Sequence, residues 1–443
     1  MECITPYIVG VSSPVVDNFS PFLHISTLVS GVSAGENSAK SRALDLNAVK
    51  AYLEILKTRG VARVLASQIA ARFPFGMLSI GFLIFVEQTY GSYTAAGSVL
   101  AALSVGNAIA SPFTARLIGN FGIRWVVMTT AAVASLTITV MVYVAMPVGL
   151  MITLALVAGA SYPPIMSAVR TMYPKLVPAD LLGALYSLDA ASQEIIWIVG
   201  PVITTFVSIQ ISASLGVMLS VIFFLGGGLW FCTSPAVGRV DIPKNETRFG
   251  AVLRNRVVAT NLLIGFLLVA SFAGSEAAIV AFFGDSNPQS GFVLGAWAGG
   301  SLIGGLLLGH IRIAPWGLTW RLAISIAGLA LAFVSPNFWW LTVTLFLSGI
   351  GTAPTLSVLF STISASVRFS QTSEAFGWLG TGLVVGAAVG AAIAGYTIDH
   401  AGALVALAVG LLVLIVALIV AIIAIRWMPD LRSGEHGPSD TVE

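Results

Sequence analysis

Blocks of about 20 consecutive apolar residues recur along the chain, and this pattern restricts it to folds that span a membrane. A helix advances about 1.5 Å per residue, so each block is long enough to cross a hydrocarbon core of about 30 Å. Charged residues form only 9% of the sequence, whereas soluble domains carry about 25%. We therefore predict an all-α integral membrane protein.

Twelve of these blocks are predicted to be transmembrane helices. The first six cover residues 64–86, 95–118, 125–145, 150–168, 182–207 and 215–232. A polar stretch follows, and then six more blocks cover residues 257–283, 291–309, 318–334, 338–357, 374–396 and 403–425. The pattern predicts two six-helix groups joined by a central loop.

The same pattern divides the chain into five parts. We predict a disordered N-terminal tail, a six-helix bundle, a cytoplasmic central loop, a second six-helix bundle and a cytoplasmic C-terminal tail, at residues 1–55, 56–232, 233–256, 257–427 and 428–443. A translation start further downstream is the alternative interpretation of the first 50 residues.

Lys and Arg are confined to the loops of one side. If both termini are cytoplasmic, the loops on the inner side hold basic residues, including Arg116, Arg124, Arg170 and Lys175. The outer loops contain neither Lys nor Arg, at residues 87–94, 146–149, 208–214, 284–290, 335–337 and 398–402. Because positive charge is retained on the cytoplasmic side, this distribution predicts cytoplasmic termini.

The two groups of six helices also resemble each other in sequence. Displaced by 194 positions, Gly97, Val99, Leu100, Ala102 and Gly106 coincide with Gly291, Val293, Leu294, Ala296 and Gly300. Displaced by 190 positions, Gly159, Pro164, Ser167 and Gly200 coincide with Gly349, Pro354, Ser357 and Gly390. The nearly equal displacements indicate a duplication in which the halves run in parallel.

Six plus six parallel helices, a basic central loop and cytoplasmic termini resemble the major facilitator superfamily, over about residues 56–427. The resemblance implies a transporter that works by alternating access. Family members carry an Asp-Arg-x-Gly-Arg type signature between the second and third helices. Here the equivalent stretch, residues 115–125, keeps Gly122 and Arg124 but has Gly119 and Asn120 where the acidic and basic residues usually stand.

A second likeness concerns the antiporters of that family, which often have a Gly-Pro pair in the fifth helix. Gly200 and Pro201 resemble this pair and favour the efflux branch. Prolines in the fourth and tenth blocks should kink those helices, because proline lacks a backbone N–H. The residues expected to serve conformational change are Gly122, Arg124, Gly200, Pro201, Pro163, Pro164 and Pro354.

The fifth block carries carboxylates within apolar sequence. Glu194 lies about 12 residues from the inner end of that block, or about 18 Å into the membrane. An ionised carboxylate at this depth costs several kcal/mol unless it faces water, pairs or binds a proton. We therefore interpret Glu194 as the main proton-coupling residue and Asp189 as a second candidate. A purely structural ion pair is the alternative for each.

The two carboxylates point in different directions, since five positions along a helix correspond to about 140°. Asp189, Gln193, Ile196 and Gly200 share one face, while Glu194, Trp197 and Pro201 share another. We expect one face to meet the transport cavity and the other a partner helix. The sequence leaves open which face does which.

Two further charges lie inside predicted helices. Arg72 stands about eight residues inside the first block, too deep to reach the surface comfortably. We expect it to pair with a carboxylate of the fifth helix, or else to bind an anionic substrate directly. Glu276 lies in the seventh block beside small residues that permit close approach. The candidates for substrate contact or charge pairing are Arg72, Gln193, Glu276, Trp197 and Trp378.

Several function classes lack support in the sequence. A Gly-x4-Gly-Lys-Ser/Thr loop is absent, so we expect no ATP hydrolysis. We find no metal-ligand motif, no nucleophile–base pair of an enzyme and no basis for nucleic-acid binding. We expect no cofactor.

We interpret the chain as a secondary active transporter in the plasma or inner membrane. The expected activity is proton-coupled efflux of a small organic compound, a drug or metabolite, by a monomer whose partners are its substrate, protons and the lipid bilayer. A proton-coupled importer of a sugar or organic acid is the alternative. A scaffold or lipid-handling protein that kept the fold without transport is a further one.

Overall fold

The computed structural model describes residues 50–284 and 288–432, and within them it is built almost entirely from helices. A short helix covers residues 50–57, and the fifteen numbered α-helices follow it in these ranges. In chain order α1 to α15 are Val61–Tyr90, Tyr93–Phe121, Ile123–Tyr143, Val148–Ala160, Ile165–Leu176, Ala179–Gln210, Ala213–Ile222, Gly228–Cys232, Arg256–Phe283, Pro288–Leu308, Gly317–Leu331, Phe338–Ile350, Thr352–Ser366, Phe369–Ala401 and Ala403–Ala424. A π-turn, Phe223–Gly227, joins α7 to α8, and a short 3-10 helix, Ala251–Arg254, precedes α9.

Eleven spans of the described chain are long and apolar enough to cross a membrane. Three of them consist of two helices each, namely α4 with α5, α7 with α8 and α12 with α13. The block predicted as the ninth transmembrane helix forms α11, which has 15 residues and is shorter than the other spans. It ends at Leu331, where the chain turns. The Trp340 indole N–H donates a hydrogen bond of 2.7 Å to the Leu331 carbonyl at this end. The all-helical membrane fold is confirmed.

The proline-containing spans break where the sequence predicts a kink. Helix α4 ends at Ala160 and α5 begins at Ile165, with Pro163 and Pro164 between them. In the second half α12 ends at Ile350, and Pro354 occupies the first turn of α13, where no intrahelical donor is required. The two halves are therefore interrupted at equivalent positions.

Paired glycines set the same helix crossing in each half. In the first half α2 lies so close to α4 that a Cβ at Gly106 would collide with the Leu156 carbonyl. In the second half a Cβ at Gly300 would collide with the Phe346 carbonyl of α12. Gly106 and Gly300 are partners in the internal repeat, so the duplication extends from sequence to packing. Association of helices through small residues is typical inside a membrane.

The two halves meet along a limited set of helices. Helix α2 packs on α14, while α6 packs on both α10 and α13. Helix α5 also contacts α14. The end of the molecule that holds the central loop is the one whose charges predict a cytoplasmic location, and it is called the inner end below. Hydrogen bonds between the halves lie at the inner end and, between Ser301 and Glu194, further along α10 and α6.

The predicted N-terminal tail requires one correction. Residues 50–57 are helical and Ile55 is completely buried, so the boundary at residue 55 is too late. Apolar residues of this short helix pack against the core, which stabilises a segment too short to be stable alone. The remainder of the predicted tail, residues 1–49, lies outside the described residues, as do residues 433–443 of the predicted C-terminal tail.

We predict that Gly106→Ala lowers the thermal stability of the protein. The added methyl must push α2 away from α4, and overpacking of this kind costs about 1–3 kcal/mol. The matched control is Gly97→Ala on the same helix, where a Cβ would meet nothing within 4 Å. Alanine favours helices over glycine by about 0.8–1.0 kcal/mol, so the control should unfold at the same temperature or higher. Thermal unfolding of the two purified variants checks this, and equal destabilisation of both would contradict it.

Candidate functional site

Glu194 lies at the interface between the two halves. It belongs to α6 of the first half and is partly buried. Its Oε1 accepts a hydrogen bond of 2.7 Å from the Ser301 hydroxyl, on α10 of the second half. In the described part of the chain Glu194 takes part in no ion pair. A titratable group thus bridges the halves through a single neutral partner.

Asp189 has a different environment, inside the first half. Its Oδ1 lies 2.8 Å from Arg72 Nη1, and its Oδ2 lies 2.8 Å from Arg170 Nε. The Gln68 amide and the Tyr173 hydroxyl also donate to Oδ1, each at 3.2 Å. Asp189, Arg72 and Arg170 are called the Asp189 cluster below. The expected contact of Arg72 with a carboxylate of the fifth span is present, and its role in transport stays a prediction.

The structure resolves which face of α6 meets which neighbour. Ile196 and Gly200, on the Asp189 face, pack directly on Gly76 of α1 in the same half. Glu194 instead faces α10 of the opposite half. The two carboxylates therefore occupy separate environments, one within a half and one between halves.

Arg170 is a central residue that the sequence analysis assigned only to an inner loop. It is 3% exposed, and its guanidinium carbon lies 3.6 Å from the ring centroid of Phe360, on α13 of the other half. Its Nη2 is buried without a hydrogen-bond partner. The sequence signal that could have found it is its position six residues after Pro164, where the broken span continues as α5.

The other predicted contact residues do not gather around Glu194. Trp197 is 56% exposed, and Glu276 on α9 is also exposed. Trp378 packs against Phe249 of the central loop, with ring centroids 5.5 Å apart. Gln193 is partly buried beside Glu194. The described residues show no aromatic lining shared by the two tryptophans.

A second polar site, absent from the predicted residues, joins the halves at the inner end. Glu374 of α14 is fully buried and lies 2.8 Å from Arg116 Nη1 on α2. It also accepts hydrogen bonds of 2.8 Å from the Asn245 amide and from the Gly250 backbone N–H. Arg116 in turn donates to the carbonyls of Asn245 and Thr247. One carboxylate thus fastens both halves to the central loop.

The N-terminal helix contributes a further inner contact between the halves. The Tyr52 hydroxyl donates to the Gly305 carbonyl on α10 at 3.1 Å, and the Ser187 hydroxyl of α6 donates to the same carbonyl at 2.7 Å. Burial raises the pKa of the Tyr52 hydroxyl above its ordinary value. The hydroxyl therefore stays protonated and able to donate at neutral pH.

The comparisons with known proteins agree with this architecture. The sequence model described as Major Facilitator Superfamily matches residues 64–311 and 275–443. The chain belongs to the major facilitator superfamily. This membership confirms the resemblance deduced from the sequence and supports transmembrane transport. No curated protein sequence matches the chain.

Two solved structures of superfamily transporters show the same fold. The human organic anion transporter MFSD10 (TETRAN) has a TM-score of 0.69 at 13% identity, with 81% of this chain and 98% of that chain covered. A bacterial homologue of the iron transporter ferroportin, in an outward-facing state, has a TM-score of 0.64 at 14% identity, with 82% and 98% covered. At such low identities the likeness extends to the fold alone.

The altered superfamily signature has a structural explanation. A Cβ at Gly119 would lie 2.9 Å from the Pro243 carbonyl, because the central loop packs directly on this part of α2. The acidic side chain usual in the superfamily has no room there. Gly122 adopts a φ of 80° at the turn into α3, and Arg124 packs against Gly238 of the loop. The retained signature residues thus shape the turn and hold the loop.

An inner cavity of about 680 Å³ opens beneath this interface. Helices α5, α6, α13 and α14, the central loop and the residues between α10 and α11 contribute to its wall. Its charged lining consists of Lys175, Lys244, Arg312, Arg368 and Arg432 with Asp180, Asp241 and Glu246. The excess of basic side chains favours anions at the inner mouth.

We predict that Glu374→Gln loosens the inner end of the interface. The amide removes the charge that attracts Arg116. It also has one acceptor oxygen where the carboxylate uses both, so at least one of the present donors loses its acceptor. The reporter is Ser187→Cys, at a fully buried position of this interface, in a background with Cys3 and Cys232 replaced by Ser. A membrane-impermeant maleimide applied from the inner side should label this reporter several-fold faster in the Glu374→Gln background.

The matched control is Asp430→Asn, which removes a carboxylate from an exposed ion pair with Arg432. This change should leave the labelling rate of the Ser187→Cys reporter unaltered. Equal labelling rates with and without Glu374→Gln would show that the ion pair does not hold the interface closed.

Proposed function

We propose that this superfamily transporter exports a small organic compound in exchange for protons, with Glu194 as the residue that binds the proton. The observation that carries the proposal is the position of Glu194 between the halves, joined to Ser301 and to no cation in the described chain. The proposed location is the plasma or inner membrane.

The chemistry of the Glu194 contact supports proton coupling. A serine hydroxyl can donate to a carboxylate and can accept from a carboxylic acid, so the bond can exist in both protonation states. The free energy of burying Glu194 nevertheless differs between its ionised and protonated forms, because a charge is far costlier to bury than a neutral acid in a water-poor interface. Protonation therefore favours the closed arrangement of α6 against α10, and deprotonation favours a wetter one. Because the proton affinity of Glu194 would then differ between these two arrangements, proton binding shifts the equilibrium between them.

Asp189 is less suited to that role. Four side chains donate to it and two of them are guanidinium groups, so its protonation would break several charge-assisted bonds at once. We propose that Asp189 keeps Arg72 and Arg170 in place.

The direction of transport rests on a local feature of α6. Gly200 and Pro201 resemble the pair found in antiporters of the superfamily, and Gly200 packs so closely on Gly76 of α1 that a Cβ there would lie 3.2 Å from the Gly76 backbone. A close glycine contact lets α6 pivot against α1 with little steric hindrance. Import of an organic acid is the alternative, and the buried guanidinium groups of Arg72 and Arg170 are the observation in its favour.

We predict that Glu194→Gln abolishes uphill transport while sparing downhill exchange. The amide preserves the size of the side chain and its contact with Ser301 but cannot exchange a proton. Metabolite profiles of cells with the parent protein, the variant or neither would first identify the compounds that the parent depletes. Proteoliposomes with an imposed pH gradient would then measure accumulation of those compounds.

The matched control is Glu54→Gln, which removes an exposed carboxylate of the N-terminal helix. It should behave like the parent protein. Accumulation by Glu194→Gln equal to that of the parent would assign proton coupling to another residue, and a parent protein that moves no compound would overturn the transporter proposal itself.

A further inference from the structure

The Asp189 cluster contains more positive than negative charge. Arg72 and Arg170 contribute two guanidinium groups and Asp189 contributes one carboxylate, and all three are at most 3% exposed. Guanidinium groups remain protonated in proteins. A buried excess charge is costly unless an opposite charge approaches it. The cluster is therefore an incomplete ionic site that favours one additional anion.

The hydrogen bonds within the Asp189 cluster leave one donor of Arg170 unused. Both oxygens of Asp189 are engaged, Oδ1 by Arg72 and two neutral donors and Oδ2 by Arg170 Nε. Arg170 Nη2 has no partner although it is buried. Guanidinium N–H groups form strong charge-assisted hydrogen bonds with carboxylates, so the unpartnered Nη2 is a donor that a second carboxylate can use.

An aromatic residue of the opposite half covers this guanidinium group. The Phe360 ring lies 3.6 Å from the guanidinium carbon of Arg170, and Tyr186 packs against both Phe360 and Phe376. The cation–π contact compensates part of the excess charge while the halves are together. Because Phe360 belongs to α13 and Arg170 to α5, separation of the halves at the inner end would uncover the guanidinium group.

Residues next to the covering ring line the inner cavity, whereas Arg170 and Phe360 themselves do not. Ser361 and Ser364, the neighbours of Phe360 on α13, line the cavity, as does Gly183, one turn before Tyr186 on α6. The Ser361 hydroxyl is buried without a hydrogen-bond partner. An anion drawn to the basic mouth would therefore meet the unpartnered Ser361 hydroxyl, beside the ring that covers Arg170.

We propose that Arg170, assisted by Arg72, binds the carboxylate of a small organic anion that enters from the inner cavity when Phe360 withdraws. This inference rests on the proposed transport function and adds the substrate class. Asp189 occupies the cluster between substrates and keeps both guanidinium groups oriented. An anion that replaces the Phe360 ring over Arg170 would stabilise the separated halves.

The test measures binding to the purified full-length chain rather than transport. The probes are acetate, citrate, benzoate and cholate, each paired with its uncharged amide, and the readout is the concentration dependence of the thermal unfolding temperature. At least one carboxylate should stabilise the parent protein saturably while its amide does not. Arg170→Lys, which keeps the charge beside Asp189 but loses the planar fork, should weaken this binding at least ten-fold.

Two further variants separate binding from a loss of structure. Phe360→Leu removes the cover but leaves the Asp189 cluster intact, so it should bind the same carboxylate more tightly than the parent protein. Lys57→Gln removes an exposed cation of the N-terminal helix that does not line the cavity, and it should change the affinity less than two-fold.

The inference is overturned if no carboxylate stabilises the parent protein, if the amides bind equally well, or if Arg170→Lys binds like the parent. These outcomes are independent of proton coupling. A protein that binds a carboxylate through Arg170 but moves nothing in proteoliposomes would defeat the proposed transport function and leave the anion site standing. Gradient-driven transport of compounds without a carboxylate, together with no stabilisation by any carboxylate, would overturn the anion site and leave the proposed transport function standing.

Discussion

The free energy of an unpaired polar group in hydrocarbon governs the construction of this protein. The backbone meets this constraint by forming helices, which pair their own N–H and C=O groups. Side chains meet it by pairing across helices, and the places where they do so hold the bundle together. Asp189 is satisfied within one half, Glu194 between the halves, and Glu374 between both halves and the central loop. Each carboxylate thus joins a different set of elements.

The inner end shows how a superfamily member can lack the usual charges of its signature. Gly119 allows the central loop to pack on α2, and Asn245 then reaches Glu374 of the opposite half. Arg116, one turn before Gly119, supplies the opposite charge. The contact that joins the halves therefore runs through the loop as well as through the helices. Tyr52 adds a neutral contact nearby, and its burial keeps the hydroxyl protonated.

The two carboxylates of α6 illustrate how surroundings assign different chemistry to similar side chains. Asp189 accepts bonds from two guanidinium groups, which makes it a rigid organiser of positive charge. Glu194 has a single hydroxyl partner, on the opposite half, among the described residues, and this is the basis for proposing it as the proton-binding residue. We propose that Glu194 binds the proton and that Arg170 binds the substrate anion. The covering ring of Phe360 links the second site to the same movement of the halves.

The sequence by itself determined the helical membrane fold and predicted the parallel halves and the depth of Glu194, because apolar block length and helical rise are local properties. It also indicated that Arg72 needs a carboxylate of the fifth span. Only the tertiary structure decided that Asp189 is that carboxylate, that Arg170 joins it, and that Glu194 faces Ser301. Helical periodicity separates the two faces of α6 by angle, but it contains no information about which neighbouring helix approaches each face. That choice depends on the packing of distant glycines such as Gly76 against Gly200, a contact between residues far apart in sequence.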